Sequence, residues 1–118
     1  MSNSRKALSI IIPCYNEELS IPKLIDNCLS IINDDIEIII VDNGSIDDTF
    51  KELNKSDIPK NIMPIRIEKN IGYGNGIMSG LNHASGEVLS WTHADLQTDL
   101  SDIIRGYTIH KKELLNKT

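Results

Sequence analysis

A carboxylate and a carboxamide lie two residues apart near the end of a predicted strand, at Asp95 and Gln97. Two protein oxygens are a poor cage for calcium, but they suit Mg²⁺ or Mn²⁺ that takes its remaining ligands from water and a diphosphate. His93 is a further candidate ligand, and its ring nitrogen would favour Mn²⁺. The segment therefore predicts a divalent cation site.

Polar segments also follow three other predicted strands. Ligands of open parallel sheets bind outside the carboxyl ends of the strands, so we expect these segments to share one crevice with the cation site. Asp42 would face that crevice, where its carboxylate suits a hydrogen bond from a nucleobase imide or a ribose hydroxyl. A turn cap through Ser45 is the alternative role for this carboxylate. The three segments are residues 13–17, 42–45 and 70–76.

Glycines recur at alternate positions in the third of these segments, at Gly72, Gly74 and Gly76. They would let the loop pass close to a ligand and open a helix whose first amides point at negative charge. Close packing of that helix on the sheet explains them equally well, and the two reasons are compatible. A dinucleotide fingerprint is disfavoured, because its third glycine would fall at Ile77 and because the segment follows the third strand rather than the first.

Two hydrophobic periodicities alternate along the chain. Strands are predicted over residues 8–12, 36–41, 63–67 and 87–91. The first two are β-branched runs, and their apolar character is expected of central parallel strands covered on both faces. Helical spacing predicts helices over residues 21–32, 48–55, 74–84 and 100–107. Ser20 is the expected N-cap of the first helix, and Gly86 is the expected end of the third.

The β-α alternation predicts the α/β class, with a mostly parallel, doubly wound sheet and helices on both faces. Asn43-Gly44 is by itself a hairpin signal. A hairpin is disfavoured here, because a helix start rather than a strand follows at residues 47–50.

Length and composition limit the classes of function. A chain of 118 residues with 40% hydrophobic residues is expected to form a single domain. The net charge of −5 and the lack of a Lys/Arg cluster predict that nucleic acid is not a partner. Cys14 and Cys28 are expected to be reduced thiols, and no membrane span or secretory segment is expected, so the predicted location is the cytoplasm.

Other site chemistries find no support in the spacing of the residues. The cysteines and histidines do not have zinc-ligand spacing, and the nucleophile elbow of a Ser-His-Asp hydrolase is missing. A phospho-receiver domain would need paired acids after the first strand, where Pro13 and Cys14 stand.

The motifs at the four strand ends together resemble those of the family 2 glycosyltransferases, which have the GT-A (nucleotide-diphosphosugar transferase) fold. The sequence Ala94-Asp95-Leu96-Gln97 looks most like the branch that transfers mannose or glucose to polyprenol (dolichol) phosphate. The resemblance covers about residues 8–107. It implies transfer of a sugar from a nucleoside diphosphate donor, a UDP- or GDP-sugar, with inversion at the anomeric carbon.

Site residues follow from the resemblance by position. Asp95 and Gln97, with His93 as a further candidate, would hold Mg²⁺ or Mn²⁺ on the diphosphate. Pro13, Tyr15, Glu17 and Asp42 would hold the nucleoside. The full set expected to bind the nucleotide sugar is Pro13, Tyr15, Asn16, Glu17, Asp42, Asn43, Gly44, Ser45, Asn70, Gly72, Gly74, His93, Ala94 and Asp95.

The chain departs from the family pattern in three places. Asn43 stands where a second acid is usual, and His93 stands where the first acid of an Asp-x-Asp pair is usual. Members of the family continue beyond the length of this chain with an acceptor-binding half. The chain is therefore expected to be the nucleotide-sugar-binding half, so the catalytic residues are left unassigned.

The resemblance leaves two classes of function open. One is a transferase acting on a polyprenol phosphate or a cell-surface glycan, peripheral at the cytoplasmic face of the membrane. The other is a non-catalytic nucleotide-sugar-binding module that works with a separate second-half chain. A fourth strand at the sheet edge would also favour a homodimer.

Overall fold

A computed structural model describes residues 6–55, 57–86 and 88–91 of the chain. Within these residues four parallel strands form one sheet in the order β3-β2-β1-β4. The strands are β1 (Leu8–Cys14), β2 (Ile36–Asn43), β3 (Ile62–Ile67) and β4 (Val88–Trp91). The helices that join them are α1 (Ile21–Ile31), α2 (Thr49–Lys55) and α3 (Tyr73–Leu81). The predicted α/β class and the parallel sheet are confirmed.

Both faces of the central strands are buried, because alternate side chains meet different helices. On one face, β1 and β2 pack against Leu24 and Cys28 of α1 and Leu53 of α2. On the other face, a smaller cluster of Ile11, Ile39 and Val41 packs against Leu81 and the following Ala84. This two-sided burial is the physical reason that the strands read as continuous apolar runs.

The order of the strands reverses once along the chain. β1, β2 and β3 follow one another across the sheet, and the chain then returns beside β1 to form β4. A right-handed crossover in the reverse direction places its helix on the opposite face of the sheet. This explains why α3 packs on one face while α1 and α2 pack on the other. Ligands of such sheets bind where the order reverses, outside the carboxyl ends of the strands.

The strand register brings the carboxyl ends of the first three strands level. Cys14 of β1 pairs with Asp42 of β2, and Asp42 pairs in turn with Arg66 of β3. The loops after β1, β2 and β3 therefore leave the sheet at one edge, as the sequence predicted.

Several predicted boundaries need correction. β2 continues to Asn43, two residues beyond the predicted end, so Asp42 and Asn43 are strand residues whose side chains face opposite sides of the sheet. Gly86 does not end α3, which stops at Leu81. Gly86 instead lies against β1, where a Cβ atom would be 2.6 Å from the backbone nitrogen of Ser9.

The first helix also differs in detail from its prediction. Ser20 occupies the N-cap position, but its side chain makes no capping hydrogen bond. Leu29 is 44% exposed, so the buried stripe is narrower than the spacing suggested. Glu87 and the helix predicted over residues 100–107 lie outside the described residues.

Two further expectations concern the cysteines and the membrane. Cys14 and Cys28 are buried free thiols, as predicted. None of the described helices combines the length and the apolar character that crossing a bilayer requires.

The packing of α3 gives a first testable prediction. A methyl group at Gly80 would overlap the side chain of Ile11, whereas one at Gly74 would meet no described atom within 4 Å. We expect Gly80→Ala to lower the free energy of unfolding by about 1–3 kcal/mol, as overpacking does. Gly74→Ala is the matched control, and we expect it to be neutral or slightly stabilising, because alanine favours helix. Urea denaturation measures both variants, and equal stability of the two would contradict this packing.

Candidate functional site

The loop after β1 is held by side chains of the loop after β2. The amide of Asn16 donates to Ser45 Oγ at 2.9 Å, and the amide of Glu17 donates to Thr49 Oγ1 at 2.8 Å. In return, the amide of Ile46 donates to Asn16 Oδ1 at 3.0 Å. Asn16 has a φ of 53°, a left-handed conformation that asparagine tolerates better than most residues. These reciprocal bonds fix the two loops as one unit.

Asp47 is the acceptor that completes this unit. Its Oδ1 accepts hydrogen bonds from the amide and the hydroxyl of Thr49, and its Oδ2 accepts a longer one, of 3.4 Å, from the amide of Glu18. Desolvation alone would raise the pKa of Asp47, but the hydrogen bonds from Thr49 and Glu18 outweigh it and lower the pKa below its ordinary value of 3.8. Asp47 is therefore a carboxylate at neutral pH.

Asp42 is completely buried below these loops and is hydrogen-bonded through both oxygens. Oδ1 accepts from the amide of Ser45 at 3.1 Å, and Oδ2 accepts from Arg66 Nη1 at 2.6 Å. Arg66 also donates to the carbonyl of Ser45 at 3.2 Å, and its guanidinium lies 5.9 Å from the ring centre of Phe50. The turn-capping role that the sequence left open for Asp42 is thus present, together with an ion pair.

Cys14 lies beside Asp42 in the sheet and is 4% exposed. Burial raises the pKa of this thiol far above its ordinary value, and the nearby carboxylates of Asp42, Glu17 and Asp47 raise it further. Burial likewise raises the pKa of Cys28 to about 12. Both thiols are protonated at neutral pH, so neither is an activated nucleophile.

Asn43 joins the end of β2 to the start of α3. Its Nδ2 donates to the carbonyl of Gly72 at 3.1 Å, while its Oδ1 is buried and has no hydrogen-bond partner among the described residues. Gly76 packs on the same side chain, because a Cβ atom there would lie 3.1 Å from Nδ2. The first turn of α3 therefore packs directly on the side chain of Asn43.

Gly44 allows the loop after β2 to approach the loop after β3. It has a φ of +74°, and a Cβ atom at this position would be 2.5 Å from the backbone nitrogen of Asn70. Both observations require glycine. Asn70 in turn accepts a hydrogen bond at Oδ1 from the amide of Gly72, at 3.0 Å.

An open groove of about 480 Å³ runs along the loop after β1. The ring of Tyr15 in the same loop is 44% exposed and offers an aromatic face. Three carboxylates line the groove, which makes it unfavourable for phosphate. The lining residues are Asn16, Glu17, Glu18, Leu19, Ser20 and Asp47.

The structure brings most of the predicted site residues to one edge of the sheet. Ten of them lie in or beside the three linked loops, namely Tyr15, Asn16, Glu17, Asp42, Asn43, Gly44, Ser45, Asn70, Gly72 and Gly74. Pro13 lies in β1 close to the start of α3, since a Cβ atom on Gly76 would be 3.5 Å from its own Cβ.

The predicted cation ligands cannot be placed in the same way. His93, Ala94, Asp95 and Gln97 lie outside the described residues. Within residues 6–55, 57–86 and 88–91, no group of three His, Cys, Asp or Glu side chains is arranged to hold a metal ion.

Arg66 and Thr49 are site residues that the sequence reasoning missed. Arg66 lies directly opposite Asp42 in the register of β2 and β3. Its position inside the predicted third strand was the available signal, because a cation in an otherwise apolar strand needs a partner. Thr49 gave no comparable signal, because its role depends on where the loop after β1 passes.

Comparison with known proteins adds an independent finding. The model of the family "Glycosyl transferase family 2" matches residues 9–113. The undecaprenyl-phosphate 4-deoxy-4-formamido-L-arabinose transferase of Yersinia pestis is 37% identical over 105 residues, which cover 85% of this chain and 32% of that protein. The chain thus spans about a third of the length of the curated relatives that it matches.

Two solved structures are similar in fold and sequence. The mannosyltransferase PcManGT of Pyrobaculum calidifontis, in complex with GDP-Man and Mn²⁺, has a TM-score of 0.70 and 26% identity, over 79% of this chain and 28% of that one. TarS 1–349 of S. aureus, in complex with UDP-GlcNAc, has a TM-score of 0.67 and 27% identity, over 75% of this chain and 26% of that one.

The buried ion pair gives a second testable prediction. We expect Arg66→Met to lower the free energy of unfolding by on the order of 3 kcal/mol, because it leaves the buried Asp42 carboxylate without its cation. Lys55→Met is the matched control, since it removes the cation of the exposed Lys55–Glu52 pair and should have little effect. Urea denaturation at neutral pH compares the two variants, and equal losses would show that the Arg66–Asp42 pair does not support the loops.

Proposed function

Because the chain belongs to glycosyl transferase family 2, we propose that it binds the nucleotide sugar in a transferase that moves a sugar from a nucleoside diphosphate to an acceptor with inversion. The family predicted from the motifs is confirmed, and the fold is of the GT-A type. The single observation that carries the proposal is the convergence of three polar loops, after β1, β2 and β3, at one edge of the sheet.

The distribution of charge supports separate positions for the nucleoside and the diphosphate along this edge of the sheet. The groove along the loop after β1 is lined by Glu17, Glu18 and Asp47, which repel phosphate but are compatible with a neutral nucleoside. Tyr15 lies in the same loop and can stack on a base. We therefore assign the nucleoside to the loops after β1 and β2. The start of α3 has no acidic residue in its first turn, so the diphosphate belongs on that side.

Asp42 takes a supporting role in this assignment. It is fully buried and already bonded to Ser45 and Arg66. We propose that it acts on the nucleoside through the loop that it positions.

The cation proposed for the diphosphate is Mg²⁺ or Mn²⁺. Asp95 and Gln97 offer a carboxylate and an amide oxygen, the hard ligands that these ions prefer, and His93 would add a nitrogen. β4 runs parallel to β1 and is paired to it as far as Trp91, which lies opposite Ile11. The bound cation would neutralise charge on the leaving diphosphate. The Mn²⁺ present in the complex of PcManGT is consistent with this assignment.

The acceptor proposed for the whole protein is a polyprenol phosphate. The relative from Yersinia pestis is named for undecaprenyl phosphate. A phosphate oxygen of such an acceptor would attack the anomeric carbon as the bond from that carbon to the diphosphate breaks. Because the acceptor oxygen is already anionic, no general base is needed. This acceptor would place the protein at the cytoplasmic face of a membrane.

A nucleotide-sugar-binding module is the second candidate. β4 forms one edge of the described sheet, and an edge strand can pair with a strand of another chain. A second-half chain or a second copy of this chain could supply that strand. Under this alternative the protein binds the nucleotide sugar but turns it over only with its partner.

Titration of UDP- and GDP-sugars in the presence of Mn²⁺ tests the proposed function. We expect saturable binding by the wild-type protein and at least about tenfold weaker binding by Asp95→Ala, because the cation loses its charged ligand. Asp26→Ala is the matched control, since it removes the same charge from an exposed site on α1. Equal affinity of wild type and Asp95→Ala would remove the metal assignment, and no binding of any nucleotide sugar by the wild type would overturn the proposed function.

A further inference from the structure

A polar network lies at the amino edge of the sheet, opposite the three linked loops. Ser9 of β1 and Glu37 of β2 are cross-strand neighbours, and they lie on the same face as the smaller apolar cluster because side chains alternate along a strand. Glu37 is the second residue of β2, and Asn43 is the last. About 20 Å of strand therefore separates Glu37 from the carboxyl edge.

One carboxylate oxygen accepts three hydrogen bonds in this network. Glu37 Oε2 accepts from the amide of Ser85 at 2.6 Å, from the hydroxyl of Ser85 at 3.1 Å and from the hydroxyl of Ser9. Ser9 Oγ in turn accepts from the amide of Gly86 at 2.8 Å. An amide can only donate and a serine hydroxyl has one proton, so the direction of these bonds is determined. These four residues form the amino-edge network.

The network holds the connection between α3 and β4 against the sheet. Ser9 is completely buried, and a Cβ atom on Gly86 would be 2.5 Å from Ser9 Oγ. Without the carboxylate of Glu37, the buried hydroxyl of Ser9 would lose its acceptor, which is costly for a group removed from water. The residues just before β4 are thus bonded to both central strands.

β4 is the element that depends most on this connection. It has four residues, begins two positions after Gly86 and pairs only with β1 within the described part of the chain. So short a strand has few backbone bonds to resist a change of register. A slip of one residue would move each later residue by about 3.3 Å and turn its side chain to the other face.

We propose that Glu37 is a positioning residue for the nucleotide-sugar site, because by holding residues 85 and 86 it fixes the register of β4 and so the starting point of the segment that carries Asp95 and Gln97. The part of this inference that concerns the cation rests on the proposed function. Asp95 follows Trp91, the last residue of β4, by four positions. Ligand distances to a metal ion must be correct to within about 0.2 Å, so the cation site would not tolerate a slip of β4.

Titration of UDP- and GDP-sugars with and without Mn²⁺ tests this role on the full chain. Mn²⁺ should strengthen binding by the wild type. We expect Glu37→Ala to reduce this gain by at least about tenfold, while its affinity without the cation stays within about twofold of the wild-type value. Glu37→Gln keeps an acceptor oxygen and should keep the gain within about threefold. Asp35→Ala is the matched control, because it removes the same charge from an exposed residue at the same edge of the sheet.

Two further measurements distinguish positioning from a general loss of stability. In the Asp95→Ala background, Glu37→Ala should have no further effect on the gain from Mn²⁺, because the ligand that it positions has already been removed. Trp91 is the single tryptophan of the chain, so its indole NMR signal reports on the end of β4. In Glu37→Ala we expect this signal to shift, and the hydrogen-bonded amides of β4 to exchange at least about tenfold faster relative to those of α1.

The outcomes separate this inference from the proposed function. If Glu37→Ala gains as much affinity from Mn²⁺ as the wild type does, the positioning role is wrong and the proposed function stands. Equal weakening of binding with and without Mn²⁺ also overturns the positioning role, because it reflects a general effect on the fold. If the wild type binds but gains nothing from Mn²⁺, the cation assignment and its positioning by Glu37 both fall.

The register of β4 can be tested even if the proposed function fails. A wild-type protein that binds no nucleotide sugar overturns the proposed function, while unchanged Trp91 and amide-exchange signals in Glu37→Ala overturn the claim that Glu37 fixes β4. Ser9→Ala replaces Glu37→Ala if the latter does not fold. It removes the hydroxyl that links Gly86 to Glu37, so we expect the same changes.

Discussion

The backbone amides of residues 16–18 depend on the side chains of a neighbouring loop for their hydrogen bonds. Ser45, Asp47 and Thr49 accept these bonds, and the unpaired amides would otherwise cost about 1–3 kcal/mol each where they are removed from water. Asp42 and Arg66 hold that neighbouring loop from below. The conformation of the whole edge follows from this chain of contacts, because each loop keeps its conformation only while the neighbouring loop provides its hydrogen-bond partners.

This arrangement separates the polar residues that build the edge from those that remain for a ligand. Asp42, Ser45 and Thr49 are buried and are used by the protein itself. Tyr15, the Oδ1 of Asn43 and the amides at the start of α3 have no such use among the described residues. The first set is buried and hydrogen-bonded within the protein, so it can hold the second in place before a ligand arrives, which reduces the ordering cost of binding.

The sequence was sufficient for the fold and for the meeting of the loops after β1, β2 and β3 at one edge of the sheet, but not for the contacts between those loops. β-Branched runs and helical spacing identified β1 to β4 and α1 to α3, because two-sided burial leaves a strong pattern. The roles of Arg66, Asp47 and Thr49 depend on tertiary contacts between residues 20 or more positions apart in sequence, or on loop geometry, and neither leaves a periodic signal. Gly86 was misread as a helix end because a glycine required by close packing on Ser9 looks identical in sequence.

The most direct measurement is an NMR titration of the ¹⁵N-labelled protein with UDP- and GDP-sugars in the presence of Mg²⁺, which avoids paramagnetic broadening. The account predicts that amide signals from residues 15–17, 43–45 and 72–76 shift together with a single dissociation constant, because one ligand contacts all three loops. Shifts in only one of these loops, or a different dissociation constant for each, would contradict a shared crevice at the carboxyl edge of the sheet.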